Sequence, residues 1–176
     1  QDFDRWRKLG NEGWSYEEVL PYFKRSMNQE RGADEFHGVG GPLNVKDGAS
    51  PLPTHKVFIQ AGIEAGYDFN ADFNGAEQEG VGPFQLTKVG NQRCSAARGY
   101  LAPVLARPNL TVVTGARLLR VLFENKQAVG VTYDLKGAAI TAKAAKEVLL
   151  CAGAVQSPQL LQLSGIGDQA ALQALG

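Results

Sequence analysis

The chain has 176 residues, of which 44% are hydrophobic and 20% charged. That is an ordinary globular mixture, too apolar for a globally disordered chain. Lys and Arg number 18, as do Asp and Glu, for a formal net charge of +0. This balance excludes the basic footprint of a nucleic-acid binder and the polybasic segment of an anionic-membrane binder.

The elements follow from the N-terminus. Phe3, Trp6 and Leu9 recur at near-helical spacing over Asp2 to Leu9, and Gly10 can close that helix. Ser15-Tyr16-Glu17-Glu18 is a capping box, in which serine and glutamate each satisfy the other's amide. The helix it opens carries Val19, Leu20, Tyr22, Phe23 and Met27, with a kink or restart expected at Pro21. A loop over Asp34 to Pro42 precedes a short strand, Leu43 to Lys46. Leu52 to Ala65 is a predicted helix that Gly66 can terminate. Tyr67 to Gly82 is a second loop, rich in Asn, Asp and Gly. Phe84 to Val89 is a predicted strand, and Ser95 to Leu105 a short helix.

The second half changes character. Leu110 to Thr114, Arg117 to Phe123, Val129 to Asp134 and Ala139 to Thr141 are predicted strands of a small sheet, with turns at Glu124 to Gln127 and Lys136-Gly137. Glu147 to Ala152 is instead a continuous apolar run, as in a strand buried on both faces of a parallel sheet. A helix is expected from Ser157 as N-cap, with Pro158 at its first position and Gly165 at its end. Asp168 can cap a last short helix. Strand, glycine turn and helix form the unit at which open α/β sheets bind ligands. The sequence offers that strand no second parallel strand of its kind.

No run reaches the ~20 apolar residues of a membrane span, and no signal peptide is visible. Cys94 and Cys151 form no C-x-x-C pair, and both are read as buried small hydrophobes. The histidines, His37 and His55, belong to no ligand-spaced cluster, so no metal site is expected. Ser157 lies outside any G-x-S-x-G context and is read as a cap, not a nucleophile.

Gly153-Ala154-Val155-Gln156-Ser157-Pro158-Gln159-Leu160-Leu161-Gln162-Leu163-Ser164-Gly165-Ile166-Gly167 resembles the second signature of the glucose–methanol–choline (GMC) flavin oxidoreductases. Ser95 to Pro103 resembles that family's S-A-A-R-x-Y-L-x-P helix, and Arg107 to Val112 its R-P-N-L-x-V strand. Gly13 to Tyr16 and Leu20 to Phe23 match further segments, all in family order. The closest flavour is the choline-dehydrogenase-like alcohol dehydrogenases. The family's G-x-G-x-x-G turn for the FAD pyrophosphate is not in this sequence. Gly38-Val39-Gly40-Gly41 runs into Pro42, without a strand before it or a helix after it.

The resemblance implies a mixed α+β and α/β fold: part of a Rossmann-like FAD-binding domain and part of the GMC substrate domain. Residues 1–109 would be the substrate-side and connecting region. Residues 110–176 would be the meander and strand–turn–helix of the FAD domain. It implies FAD as cofactor, with secondary contacts from Leu118 near the adenine and from Ala152, Gly153 and Ala154 near its ADP part. No catalytic residue is assigned, since neither histidine matches the family's catalytic position. The acidic loop of Asp68, Asp72, Glu77 and Glu79 would lie on the substrate side, and Arg98 would anchor its helix by a charge-assisted hydrogen bond.

The expected activity is that of a parent enzyme, of which this chain would be an internal, inactive fragment. That enzyme would take a hydride from the CH–OH group of a small alcohol such as choline, in the cytoplasm, with peripheral membrane association open to it. A lyase of the same family and a non-catalytic binding module are the alternatives. Dimerisation through the exposed strand Glu147 to Ala152 is expected of the chain alone.

Overall fold

The computed structural model describes residues 2–48 and 52–174. They form two compact units, Gln1–Leu110 and Thr111–Gly176, and mix helices with two sheets.

In the first unit, α1 (Asp2–Lys8) and α2 (Tyr16–Ser26) pack through aromatic edges. Phe3 meets Trp6 and Phe23 at centroid distances of 5.3 and 5.6 Å, and Trp6 meets Trp14 at 5.7 Å. The capping box is complete. The Ser15 hydroxyl accepts the Glu18 amide at 3.3 Å, and Glu18 Oε2 accepts the Ser15 amide at 2.9 Å. Arg7 bridges back to Glu18 at 3.0 Å. The helix runs unbroken through Pro21. The proline costs one backbone bond, and the N-terminal cap together with the packing against α1 outweighs it.

Three short strands follow: β1 (Met27–Gln29), β2 (Leu43–Asp47) and β3 (Gln85–Val89), with β4 (Gln92–Arg93) turning back on β3. β1 and β2 are parallel; the other pairs are antiparallel. Helix α3 (Pro53–Glu64) lies between β2 and β3. The loop after it is pinned by a bridge, with Asn70 N–H to Val81 O and Val81 N–H to Asp68 O both at 2.9 Å. Gly82 has to be glycine here, because a Cβ would stand 1.8 Å from the Asn70 carbonyl oxygen. The segment expected as a plain helix from Ser95 is instead a π turn over Ala97–Leu101 and a 3₁₀ turn over Ala102–Val104.

The second unit is a meander of β5 (Ala116–Glu124), β6 (Gln127–Leu135) and β7 (Ala138–Lys143). Both turns have positive φ at their two central residues, Asn125 and Lys126 (48° and 69°) and Lys136 and Gly137 (53° and 86°). Two-residue hairpins with the native strand twist need that geometry. A bulge leaves Leu119 as an extra residue, since Leu118 faces Tyr133 while Arg120 faces Thr132. Helix α4 (Gly153–Leu163) covers the outer edge of β5. The Ser164 hydroxyl accepts the Val121 amide at 2.9 Å and donates to the Leu160 carbonyl at 2.6 Å. Helix α4 ends in a two-bond glycine cap, Gly165 N–H to Gln162 O and Ile166 N–H to Leu161 O, both 2.9 Å. Asp168 caps α5 (Gln169–Ala174) through the Ala171 amide.

Four further expectations are corrected. Leu110 to Thr114 and Glu147 to Ala152 have no regular structure. A strand exists only where a neighbour accepts its ladder bonds, and neither segment has one among the described residues. Helix α4 begins at Gly153, not at Ser157, because Gly153 at φ 90° turns the chain into it four residues earlier. Cys94 is buried, but Cys151 is exposed because the segment carrying it is uncovered.

Few side chains are enclosed. Val19, Val45, Cys94, Val121 and Leu160 are the buried hydrophobic residues among those described. The accessible surface is 13665 Å². Folded proteins of this mass expose about 8300 Å², and about 10000 Å² if the two units are counted separately.

Two outcomes follow from these contacts. Ser164→Ala leaves the buried Val121 amide without its acceptor and should cost about 1–2 kcal/mol in urea unfolding of the second unit. Acid should destabilise the first unit. The Ser15 amide and hydroxyl, with Arg7, hold Glu18 below its ordinary 4.5. The His37 ring holds Asp34, and Gln85 with Arg31 holds Asp47, below 3.8. Depressed carboxylates contribute stability above their ordinary values and lose it as pH falls through the lowered ones. Urea midpoints of the first unit should therefore drop below about pH 4.

Candidate functional site

The turn into α4 is the part of the second unit best built to receive a ligand. Ala152, Gly153 and Ala154 are exposed, and Val155 beside them is 82% exposed. The first amides of a helix have no partner inside it. Here no side chain caps them, and no acidic residue stands in the first turn. One group of the turn is satisfied locally: the Ser157 hydroxyl accepts the Ala152 amide at 3.1 Å. That bond replaces the outside cap expected of Ser157 and fixes the turn from within the helix. Gly153 combines φ 90° with open space where a Cβ would be, since no atom lies within 4 Å of that position. The result is an open helix N-terminus whose dipole favours an anionic group.

Leu118 lies on β5 at the bulge, half-buried, opposite Tyr133. It belongs to the same unit as Ala152–Ala154, which sit together at the start of α4. The apolar run feeding that turn is uncovered, with Leu149 75% exposed.

In the first unit, Arg98 donates to the Gln92 side-chain carbonyl, and its amide bonds the Ser95 hydroxyl at 3.2 Å. The anchor of the π turn is thus a neutral amide on β4. Cys94 Sγ sits 3.7 Å from the Pro42 carbonyl beneath that turn. In the acidic loop, Phe73 stacks on Phe84 at 4.7 Å. Asp72 has a role that the sequence does not show: it faces the buried His37, which Asp34 holds from the other side. The Asp34…His37 spacing was visible, but the approach of Asp72 depends on the loop fold. Gln29 and Gln85 exchange two amide bonds, 2.9 and 3.1 Å, across the sheet. No group of three or more His, Cys, Asp or Glu is placed to hold a metal ion among the described residues.

Replacing Gly153 by alanine forces a Cβ onto a left-handed backbone. Because the surrounding space is open, the penalty is strain alone, about 1–2 kcal/mol, and thermal unfolding should show it. Ala154→Gly, next to it, should not show a loss tied to φ.

Comparison with known proteins places the chain among relatives of one kind. The family model described as GMC oxidoreductase matches residues 1–175. An oxygen-dependent choline dehydrogenase 1 of Chromohalobacter salexigens is 49% identical over 95% of this chain and 30% of its own length. A mitochondrial choline dehydrogenase of Homo sapiens is 44% identical over 100% of this chain and 30% of its own. Among solved structures, pyridoxine 4-oxidase from Mesorbium loti superposes with a TM-score of 0.87 at 35% identity, covering 98% of this chain and 34% of that one. The chain therefore spans about a third of the length of these relatives.

Proposed function

The chain belongs to the GMC oxidoreductase family, and from that premise we propose that it serves in an FAD-dependent oxidoreductase acting on the CH–OH group of a small alcohol, choline foremost. The observation that carries this reading is the whole-chain match to choline dehydrogenases at 44–49% identity, together with an open, uncapped helix N-terminus at the family's second signature.

The α4 turn fits an anionic nucleotide. The amides at its start lack acceptors, Gly153 removes the Cβ that would hold a ligand off, and no carboxylate repels it. In this reading Ala152, Gly153 and Ala154 lie against the ADP part of FAD, and Leu118, half-buried on the β5 bulge, near the adenine. Ser157 keeps the turn in shape by holding the Ala152 amide. Bound FAD would supply the hydride acceptor for the alcohol carbon. The residues of the chain bind and orient; none of them is assigned to proton transfer. The first unit would furnish substrate-side structure, its loop over residues 67–82 included.

No described helix is long and apolar enough to cross a membrane. We place the protein in the cytoplasm, although the mouse and human relatives are named mitochondrial. Taken alone, the chain is expected to lack turnover and to dimerise through its uncovered apolar run.

The test is made on the whole protein. Ala154→Asp puts a carboxylate among the α4 amides, where it suits the helix dipole and so preserves the fold, yet repels a phosphate. Flavin content on purification, read by absorbance, should fall by about tenfold or more, and choline-dependent dye reduction with it. Unchanged flavin content would remove α4 from the cofactor site. Absence of alcohol-dependent dye reduction in the unmodified, flavin-loaded protein, with cleavage of cyanohydrins, would replace the oxidoreductase by a lyase.

A further inference from the structure

The first unit carries a buried histidine that the proposed chemistry does not use. His37 leaves 3% of its side chain exposed, in the loop joining β1 to β2. Its Nδ1 lies 2.8 and 2.9 Å from the two carboxylate oxygens of Asp34. Asp34 Oδ1 also accepts the amides of Phe36 and His37, at 2.8 and 2.7 Å. The near side of the ring is thus fixed within its own loop.

The far side meets a different segment. Nε2 lies 3.3 Å from Asp72 Oδ2, in the loop between α3 and β3, and makes no hydrogen bond. The other charged groups around the pair come from two elements and a loop. Arg31 Nη1 stands 3.8 Å from Asp72 Oδ2 and donates to the Ala71 carbonyl at 3.0 Å. Its Nη2 pairs with Asp47 of β2 at 2.8 Å. Lys24 of α2 donates to the carbonyls of Asp34 and Glu35 at 2.6 and 3.1 Å.

Neutral imidazole donates from one nitrogen and presents a lone pair on the other. With Nδ1 donating to Asp34, an unprotonated Nε2 would leave its partial negative charge beside a carboxylate oxygen 3.3 Å away, at a buried atom. That contact is repulsive, and a buried site screens it poorly. A proton on Nε2 turns the same contact into an ion pair.

We propose that a proton on His37 Nε2 latches the loop over residues 67–82 to the loop over residues 30–42, joining Asp72 to Asp34 through the imidazolium. Loss of that proton releases the 67–82 loop, because Asp72 then faces an unprotonated nitrogen. The latch is closed while Nε2 carries that proton and open without it. His37 is a positioning residue, and the device does not depend on the flavin reading. The loop is also held by the amide pair of Asn70 and Val81, by the Asn70 side chain on the Glu77 and Glu79 carbonyls, and by Arg31 on the Ala71 carbonyl, so release means loosening at Asp72, not detachment.

Hydrogen exchange followed by mass spectrometry on the whole protein tests this, between about pH 5 and 9 and corrected for intrinsic exchange. Peptides spanning residues 67–82 should lose about tenfold in protection in one step, while β5–β7 peptides stay level. His37→Gln can still donate one amide bond to Asp34 but carries no titrating charge, and it should flatten the step. Asp72→Asn removes the far partner, leaves His37 on Asp34, and should flatten it too, so the test survives if the glutamine variant does not fold. A level profile in the unmodified protein, or a step that persists in both variants, would overturn the latch.

Discussion

The constraint that governs this structure is apolar surface without a covering layer. Val148 to Cys151 is as hydrophobic as a strand buried on both faces, yet it has no ladder partner among the described residues, and Leu149 stands 75% exposed. A backbone segment of that composition is stable in water only when neighbours take both its faces and its hydrogen bonds. The area carries the same message at the level of the whole chain. Its 13665 Å² exceeds the surface of a self-sufficient fold of this mass by several thousand Å². The chain spans about a third of the length of its relatives; the expectation from its sequence is that the run is a strand among parallel neighbours, with the α4 turn at its carboxyl end, where open α/β sheets bind ligands.

Against this open surface, the local interactions are well satisfied. The capping box of α2, the glycine cap of α4, the primed turns of the meander and the Ser164 clamp on β5 each pair backbone groups within a few residues or across one edge. These devices hold the elements in shape without a large core. They also explain how the turn at Gly153 is defined while the segment before it is bare: Ser157 and the glycine backbone fix it from the helix side.

That division explains what could be read from the sequence. Elements set by local chemistry are legible: α2 from Ser15 and Glu18, the end of α3 from Gly66, β5 to β7 from their two turns, α5 from Asp168. The family resemblance rested on contiguous motifs and was legible for the same reason. What the sequence concealed depends on distant partners. β1 is Met27-Asn28-Gln29, mostly polar and read as the end of a helix, a strand only because Leu43–Val45 pairs with it. The start of α4 was misplaced because Pro158 resembles a first helical residue, whereas the glycine turn ahead of it decides. Cys151 reads as a core residue and is exposed because its cover is elsewhere. Of the candidate site, Ala152–Ala154 were found as a turn, but the approach of Asp72 to His37 brings together residues 35 apart and left no periodic trace.

The most direct measurement is the native reactivity of Cys151 in the whole, flavin-loaded protein. If neighbouring strands cover residues 147–152, Cys151 should resist alkylation by iodoacetamide as firmly as Cys94, and both should react once the protein is unfolded. Rapid labelling of Cys151 in the native protein, with flavin still bound, would contradict the account.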